Sequence, residues 1–192
     1  MKKHLVTGSS GFLGSAIVKK LVERGNEVVS LDIISNKTIS KISKFYQIDI
    51  SEKSNNYNEI FKNIDCVHHN AALVPLTKSG NDFFKSNVEG TINILNQSIK
   101  NNVGHFSHMS SSAIFGKPKL NENVDTNTFN PTGKYGKSKY LAELEVNSKK
   151  QFFQSCSIIR PRPIIGKERL GIFEILFDWV YDNKKIPVIG SA

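Results

Sequence analysis

Residues 7–14 read TGSSGFLG, within HLVTGSSGFLGSAIVKKL at 4–21. The run HLVT before them is a short strand pattern. The segment after them carries Leu13, Ile17 and Leu21 at fourfold spacing, the pattern of a helix over 12–24. Gly8, Gly11 and Gly14 therefore occupy a strand-to-helix turn. There, glycines let the backbone turn tightly, approach a pyrophosphate and pack the helix on the strand, while the helix N-terminus offers free N–H groups and the positive end of its dipole. Three glycines carry little information alone; their place between a strand and a helix gives them meaning.

Outward from this turn the chain alternates. Short apolar runs at 27–32, 45–50, 65–69, 104–110 and 156–160 read as further strands. Between them, 82–100 carries Phe84, Val88, Ile92, Leu95 and Ile99 as a stripe at helical period, and another helix begins after Asn130-Pro131 and runs to about Ser148. Strands alternating with helices imply right-handed crossovers and a parallel sheet with helices on both faces, a doubly wound α/β fold.

The second strand ends at Asp32, about 20 residues beyond the loop, where a carboxylate can accept both hydroxyls of an adenosine ribose. Ile33 and Ile34 follow and supply no cation for a 2′-phosphate, which favours NAD over NADP; Lys37 is the cation within reach that would favour the phosphorylated cofactor. Tyr135 and Lys139 lie one turn apart on one face of the helix after Pro131. A tyrosine with pKa near 10 becomes a usable base when an adjacent ammonium stabilises its phenolate. Ser110, Ser111 and Ser112 follow the fifth strand at its C-terminal end, where ligands of open α/β sheets bind, so a hydroxyl there can orient a substrate oxygen towards Tyr135.

Together with Asp49-Ile50, His69-Asn70-Ala71-Ala72, Asn87-Val88-Glu89-Gly90-Thr91, SSSAIFG at 110–116 and YGKSK at 135–139, these motifs resemble the extended short-chain dehydrogenase/reductases. In particular they resemble the NAD-dependent epimerase/dehydratase family, over essentially the whole chain and in the family's order. The resemblance implies a Rossmann-type fold in which Gly8, Gly11, Phe12, Leu13 and Gly14 bind the pyrophosphate and Asp32 the ribose. It implies that Asp49 and Ile50 flank the adenine, that Ala71, Ala72 and Leu73 line the cofactor cleft, and that Asn87 supports the site. Counting back from Gly116, the family's catalytic hydroxyl falls on Ser111, with Ser112 as the alternative. Tyr135 is then the acid/base and Lys139 its partner, both also touching the cofactor. The implied activity is epimerisation of a sugar nucleotide through a keto intermediate, with hydride passing to and from NAD.

Two departures bear on that expectation. Family members that act on sugar nucleotides usually read Arg-x-Phe-Asn after the sixth strand, whereas this chain reads Arg160-Pro161-Arg162-Pro163, and Pro163 has no side-chain donor. This keeps open a net dehydrogenase or reductase acting on a hydroxysteroid-like or other secondary alcohol. Members also typically continue for a hundred or more residues as a substrate domain. The chain therefore reads as a cofactor domain over 1–170 and the start of a truncated substrate region over 171–192. A non-catalytic NAD-binding protein is the reading of another class, and the retained Tyr135/Lys139 pair speaks against it.

Composition limits the partners. The 192 residues carry 26 Lys+Arg against 17 Asp+Glu, a net charge of +9, mostly lysines spread as doublets with no basic stripe interleaved with aromatics, so no nucleic-acid partner is expected. No apolar run approaches the roughly 18 residues of a membrane span, and MKKHLVTGSSG lacks the apolar core of a signal peptide. Cys66 and Cys156 form neither a CxxC pair nor a disulfide framework. These features suit a cytoplasmic protein. His68 and His69 are adjacent in a strand and so point to opposite faces, which excludes a metal held by both. The family implies a homodimer through the helices at 82–100 and 133–148, and the widely apolar segment 171–182 expects partners on two sides.

Overall fold

Among the described residues, six strands form one parallel sheet: β1 (Lys3–Thr7), β2 (Glu27–Asp32), β3 (Lys44–Gln47), β4 (Cys66–His69), β5 (His105–Met109) and β6 (Ser155–Ile159). Their order is β3-β2-β1-β4-β5-β6, and every neighbouring pair is parallel. Chain order thus reverses between β1 and β4, and loops after these two strands leave a crevice at the C-terminal edge. This computed structural model describes residues 1–54, 56–75, 82–117, 128–166 and 172–185. They fall in two compact units, Met1–Arg162 and Pro163–Ala192.

The helices of the first unit are α1 (Phe12–Glu23), α2 (Lys37–Ile42), α3 (Tyr57–Ile60), α4 (Asp82–Phe84), α5 (Gly90–Lys100) and α6 (Gly133–Lys149). One face of the sheet presents Val29, Leu5, Val67 and Phe106 to Ile60 and Phe61 near α3, Ile94 and Leu95 of α5 and Val146 of α6, which together form the main core. The other face places Val6 and Val28 against Val18 of α1 and Ile39 of α2. That second layer covers β1 to β3, whereas the outward residues of β6, Ser155, Ser157 and Ile159, are exposed.

Two elements differ from the periodicity reading. The strand expected over 45–50 closes at Gln47: the Ile48 amide makes the last bond to β2, donating to the Asp32 carbonyl at 2.9 Å, and the Asp49 side chain then closes a turn by accepting from the Ser51 amide at 2.9 Å. The helix expected over 82–100 is interrupted by a π-helical turn, Lys85–Glu89. Its buried residues are Phe83, Asn87, Gly90, Thr91, Ile94, Leu95 and Ser98, so the stripe runs beside the apolar positions chosen from the sequence, and Phe84, Val88, Ile92 and Ile99 are only half-buried. A period taken from apolar residues alone passes over Asn87, Thr91 and Ser98, which become buried because each hydrogen-bonds inside the fold.

In the second unit, α7 spans Ile172–Tyr181 as the apolar stripe indicates, with Phe177, Val180 and Tyr181 exposed. Gly171 and 186–192 of the expected substrate region lie outside the described residues.

The glycine turn is tightly packed. A Cβ on Gly14 would lie 2.0 Å from the Gly8 carbonyl oxygen, whereas one on Gly133, at φ +68°, meets nothing within 4 Å. Gly14→Ala should therefore cost about 3 kcal/mol of stability through backbone displacement, and Gly133→Ala about 1 kcal/mol through conformation alone. Urea unfolding of the two variants checks this ranking.

Candidate active site

The glycine turn crosses from β1 to α1 with Gly8 in the left-handed region at φ +67°. The Gly11 amide donates to the Gly8 carbonyl at 3.2 Å and the Ser15 amide to the Gly11 carbonyl at 2.9 Å. No side chain caps α1 at Gly11, and its first turn holds no acid, so its positive end is left to an anion. Asp32 closes the turn from β2: one carboxylate oxygen accepts from the Ser10 amide at 2.9 Å and the other from the Ile34 amide at 3.0 Å. Each oxygen retains a lone pair for a hydroxyl. Ile33 and Ile34 beside it are exposed.

Loop 70–73 forms the opposite wall. A Cβ on Gly8 would lie 2.8 Å from the Ala71 amide nitrogen, so the two loops meet backbone to backbone. Ala71, Ala72 and Leu73 are half-buried. Asn87 holds the loop through both backbone polar groups of one residue, its Oδ1 accepting from the Leu73 amide at 2.7 Å and its Nδ2 donating to the Leu73 carbonyl at 3.2 Å. The same Nδ2 donates to Ser138 Oγ at 3.0 Å, which brings α6 into the cluster. Asp49 is exposed beyond β3, and the Ile50 side chain is buried in the main core, where a Cβ on Gly90 would touch it at 2.7 Å.

On α6, Tyr135, Lys139 and Glu143 follow one another at intervals of four. Tyr135 is half-buried, its ring edge-on to Phe83 at 6.0 Å. Lys139 is buried and donates from Nζ to the Met109 carbonyl at the end of β5, at 2.5 Å. Burial brings its pKa down from 10.5 to about 8, with the Glu143 carboxylate opposing that fall. Glu143, 2% exposed, is held by the Arg160 guanidinium at 2.6 Å and 3.1 Å. That guanidinium also lies 5.2 Å from the Phe129 ring centre and 5.7 Å from that of Phe115. Ser111 caps the short 3₁₀ turn Ser112–Phe115, its Oγ accepting from the Ala113 amide at 3.2 Å while its own proton stays available. The turn lies against the start of α6, since a Cβ on Gly136 would meet the Ala113 carbonyl at 2.9 Å. Ser111, Tyr135 and Lys139 thus belong to two segments packed together at the C-terminal end of β5.

Sequence reasoning weighed His69 only as a metal ligand, quoted Thr91 and Ser138 only as members of longer motifs, and did not single out Glu143. The fourfold interval Tyr135, Lys139, Glu143 was the available signal for the last. His68 and His69 do face opposite ways: His68 Nε2 lies 3.0 Å from His4 Nδ1, and the His69 ring bonds Thr7 and Thr91. Among the described residues no three His, Cys, Asp or Glu side chains are arranged to hold a metal, and no helix is long and apolar enough to cross a membrane.

The profile of the NAD-dependent epimerase/dehydratase family matches residues 4–190. The chain belongs to this family. Among curated relatives, it is 35% identical over 193 residues to the uncharacterized protein y4nG of Sinorhizobium fredii, covering 100% of this chain and 48% of that protein. It is 36% identical over 149 residues to the UDP-glucose 4-epimerase of Lactobacillus helveticus, covering 73% of this chain and 45% of that enzyme. The chain spans about half the length of these relatives. Among solved structures, the Bordetella bronchiseptica enzyme WbmH in complex with NAD+ superposes with a TM-score of 0.79 at 25% identity, over 96% of this chain and 64% of that one. The UDP-glucose 4-epimerase of Thermotoga maritima shares the fold, with a TM-score of 0.82 at 23% identity over 98% of this chain and 66% of that one. The family is NAD-dependent, and the uncapped α1, the close glycine turn and the Asp32 carboxylate fit that dinucleotide.

Two stability measurements test the family site's electrostatics. Lys139 binds its proton less tightly folded than unfolded, so the unfolded chain holds more protons between about pH 8 and 10.5 and stability contributed by this residue rises with pH there. The gain, up to about 3 kcal/mol, should be missing from Lys139→Met when urea unfolding of the two proteins is compared across that range. Arg160→Met strands a buried carboxylate and should cost about 3 kcal/mol. The double variant Arg160→Met/Glu143→Met should lose less than Arg160→Met alone.

Proposed function

We propose that the chain carries the NAD-binding part and the acid/base apparatus of an epimerase acting on a sugar nucleotide. The observation that carries this reading is the packing of the Ser111 turn against the start of α6, where Tyr135 and Lys139 share one face, at the strand edge that also bears the glycine turn and Asp32. Gly8, Gly11, Phe12, Leu13 and Gly14 would hold the pyrophosphate at the N-terminus of α1, Asp32 the adenosine ribose, and Ala71 to Leu73 the opposite wall. When bound, NAD supplies reversible hydride exchange at the carbon to be inverted.

The chain's own residues manage the protons. Tyr135 removes the proton of the sugar hydroxyl, and Ser111, whose Oγ–H is not consumed by its cap, donates to the same substrate oxygen and orients it. The Lys139 ammonium stabilises the Tyr135 phenolate; one of its three N–H donors is committed to Met109, leaving two for the site. The proton returns from Tyr135 once the keto intermediate has been reduced from its other face.

Pro163 supports a second reading, a net dehydrogenase or reductase, because the expected sugar-nucleotide asparagine is absent. Leu141 and Leu144, 41% and 44% exposed on α6, support pairing with a second copy through this helix. In that case Leu141→Glu/Leu144→Glu shifts the sedimenting species to the monomer.

Calorimetry should detect NAD binding to the chain and its loss in Asp32→Ala; binding of NADPH in place of NAD would overturn the ribose assignment. In a form carrying a substrate domain, Tyr135→Phe should lower turnover at least about a thousandfold with NAD affinity within about threefold. Equal loss of both would make Tyr135 structural. Epimerised product without net NADH separates the first reading from the second.

A further inference from the structure

At the reversal of strand order, Thr7 and His69 are register partners on β1 and β4, and their side chains hydrogen-bond at 2.8 Å through Thr7 Oγ1 and His69 Nδ1. The His69 ring is 1% exposed, and its other nitrogen, Nε2, lies 2.9 Å from Thr91 Oγ1. The protons of this cluster can be assigned by counting. Thr91 spends its single hydroxyl proton on the Asn87 carbonyl at 2.6 Å, so it can only accept from His69, and Nε2 carries the hydrogen. Nδ1 is then bare in the neutral ring and accepts the Thr7 hydroxyl proton. Both lone pairs of Thr7 Oγ1 remain for the Asn70 and Ala71 amides, each at 3.2 Å. A ring protonated at both nitrogens would ask Thr7 Oγ1 to accept three donors with two lone pairs.

The path continues beyond Asn87. Its side chain holds both polar groups of Leu73 and donates to Ser138 Oγ, and Ser138 donates in turn to the Tyr135 carbonyl at 2.8 Å. One line of polar contacts and the Asn87 residue itself therefore joins the amide of Ala71, against which Gly8 packs, to the residue assigned the acid/base role. We infer that His69 is a positioning residue, locked as the neutral Nε2–H tautomer, that sets loop 70–73 against the glycine turn and ties that loop through Thr91 and Asn87 to the start of the Tyr135 helix. This rests on the reading of 71–73 as a wall of the cofactor cleft. Burial, and then the nearby Lys139 charge, bring the ring's pKa down to about 3, in keeping with a neutral ring. The groups that face it are Thr7, Thr91, the stacked ring of His108 at 5.5 Å and Phe106 at 6.1 Å.

The test uses the full chain. Nitrogen-15 spectra of the His69 ring, recorded without cofactor, should show the Nε2–H tautomer unchanged from pH 5 to 9; a ring that titrates in that range, or that carries its proton on Nδ1, overturns the inference. Thr91→Val removes the acceptor of Nε2–H while keeping shape. It should speed hydrogen exchange at the Ala71 and Leu73 amides about tenfold, shift the Tyr135 carbonyl carbon resonance and weaken NAD about tenfold. Thr91→Ser restores the hydroxyl and should return all three readings to within about twofold of the parent. If Thr91→Val folds with these amides and the Tyr135 carbonyl unchanged, the cluster is packing only. If it does not fold, the tautomer and the Thr91→Ser exchange data decide. A parent that fails to bind NAD would refute the cofactor reading alone, since tautomer and exchange are measured in its absence.

Discussion

Burial of a polar row at the end of a parallel sheet is the constraint that the rest of this structure answers. Across the sheet, Val29, Leu5, Val67, Phe106 and Cys156 align in register as an apolar row. Two residues further along the strands the row reads Leu31, Thr7, His69, His108, Ile158. The first row needs only apolar partners, which α3 and its flank, α5 and α6 supply. The second puts three polar side chains in the interior, where an unpaired donor or acceptor costs about as much as a lost core methyl or more. Thr91 and Asn87 are the response for Thr7 and His69. His108 is covered by the His69 ring, and its nitrogens meet no protein partner among the described residues.

Charge in this region follows the same logic. Lys139 comes in from α6 above the two histidines and, after burial itself, opposes the protonation of both. Its own positive charge is answered along the helix by Glu143, which Arg160 anchors from the end of β6. The backbone beyond β6 also holds the serine turn, with the Ser110 amide donating to Ile159 at 2.8 Å and the Ser112 amide to Pro161 at 3.0 Å. The end of β6 and the two residues after it therefore fix both halves of the candidate site, the helix through Arg160 and the turn through Ile159 and Pro161.

The strand–glycine–helix opening, the alternating order and the Tyr135/Lys139 spacing were legible because each rests on local chemistry: glycine at a turn, apolar period, and a helical interval of four. Asp32 was legible by its distance from the loop. What escaped the sequence was the set of polar residues whose burial depends on partners far along the chain. Thr91 looks like an ordinary helix residue until His69, 22 positions earlier, is brought against it. Ser138 looks like a surface residue until Asn87 reaches it across 51 positions. The shifted stripe of α5 has the same origin, since a count of apolar positions gives no weight to a satisfied Asn or Thr.

The π-helical turn at Lys85–Glu89 has a further consequence for how this segment tolerates change in length. It amounts to one extra residue in an otherwise α-helical stretch, and it lets Phe83 face the Tyr135 ring while Asn87 and Thr91 face the sheet end. Removing one residue there would restore a uniform helix but rotate everything on its N-terminal side by about 100° relative to α5. Point substitution at Lys85 or Glu89, both exposed, is a surface event; deletion of either would unseat Phe83 and the Asn87 clamp together. The segment is permissive in composition and rigid in count.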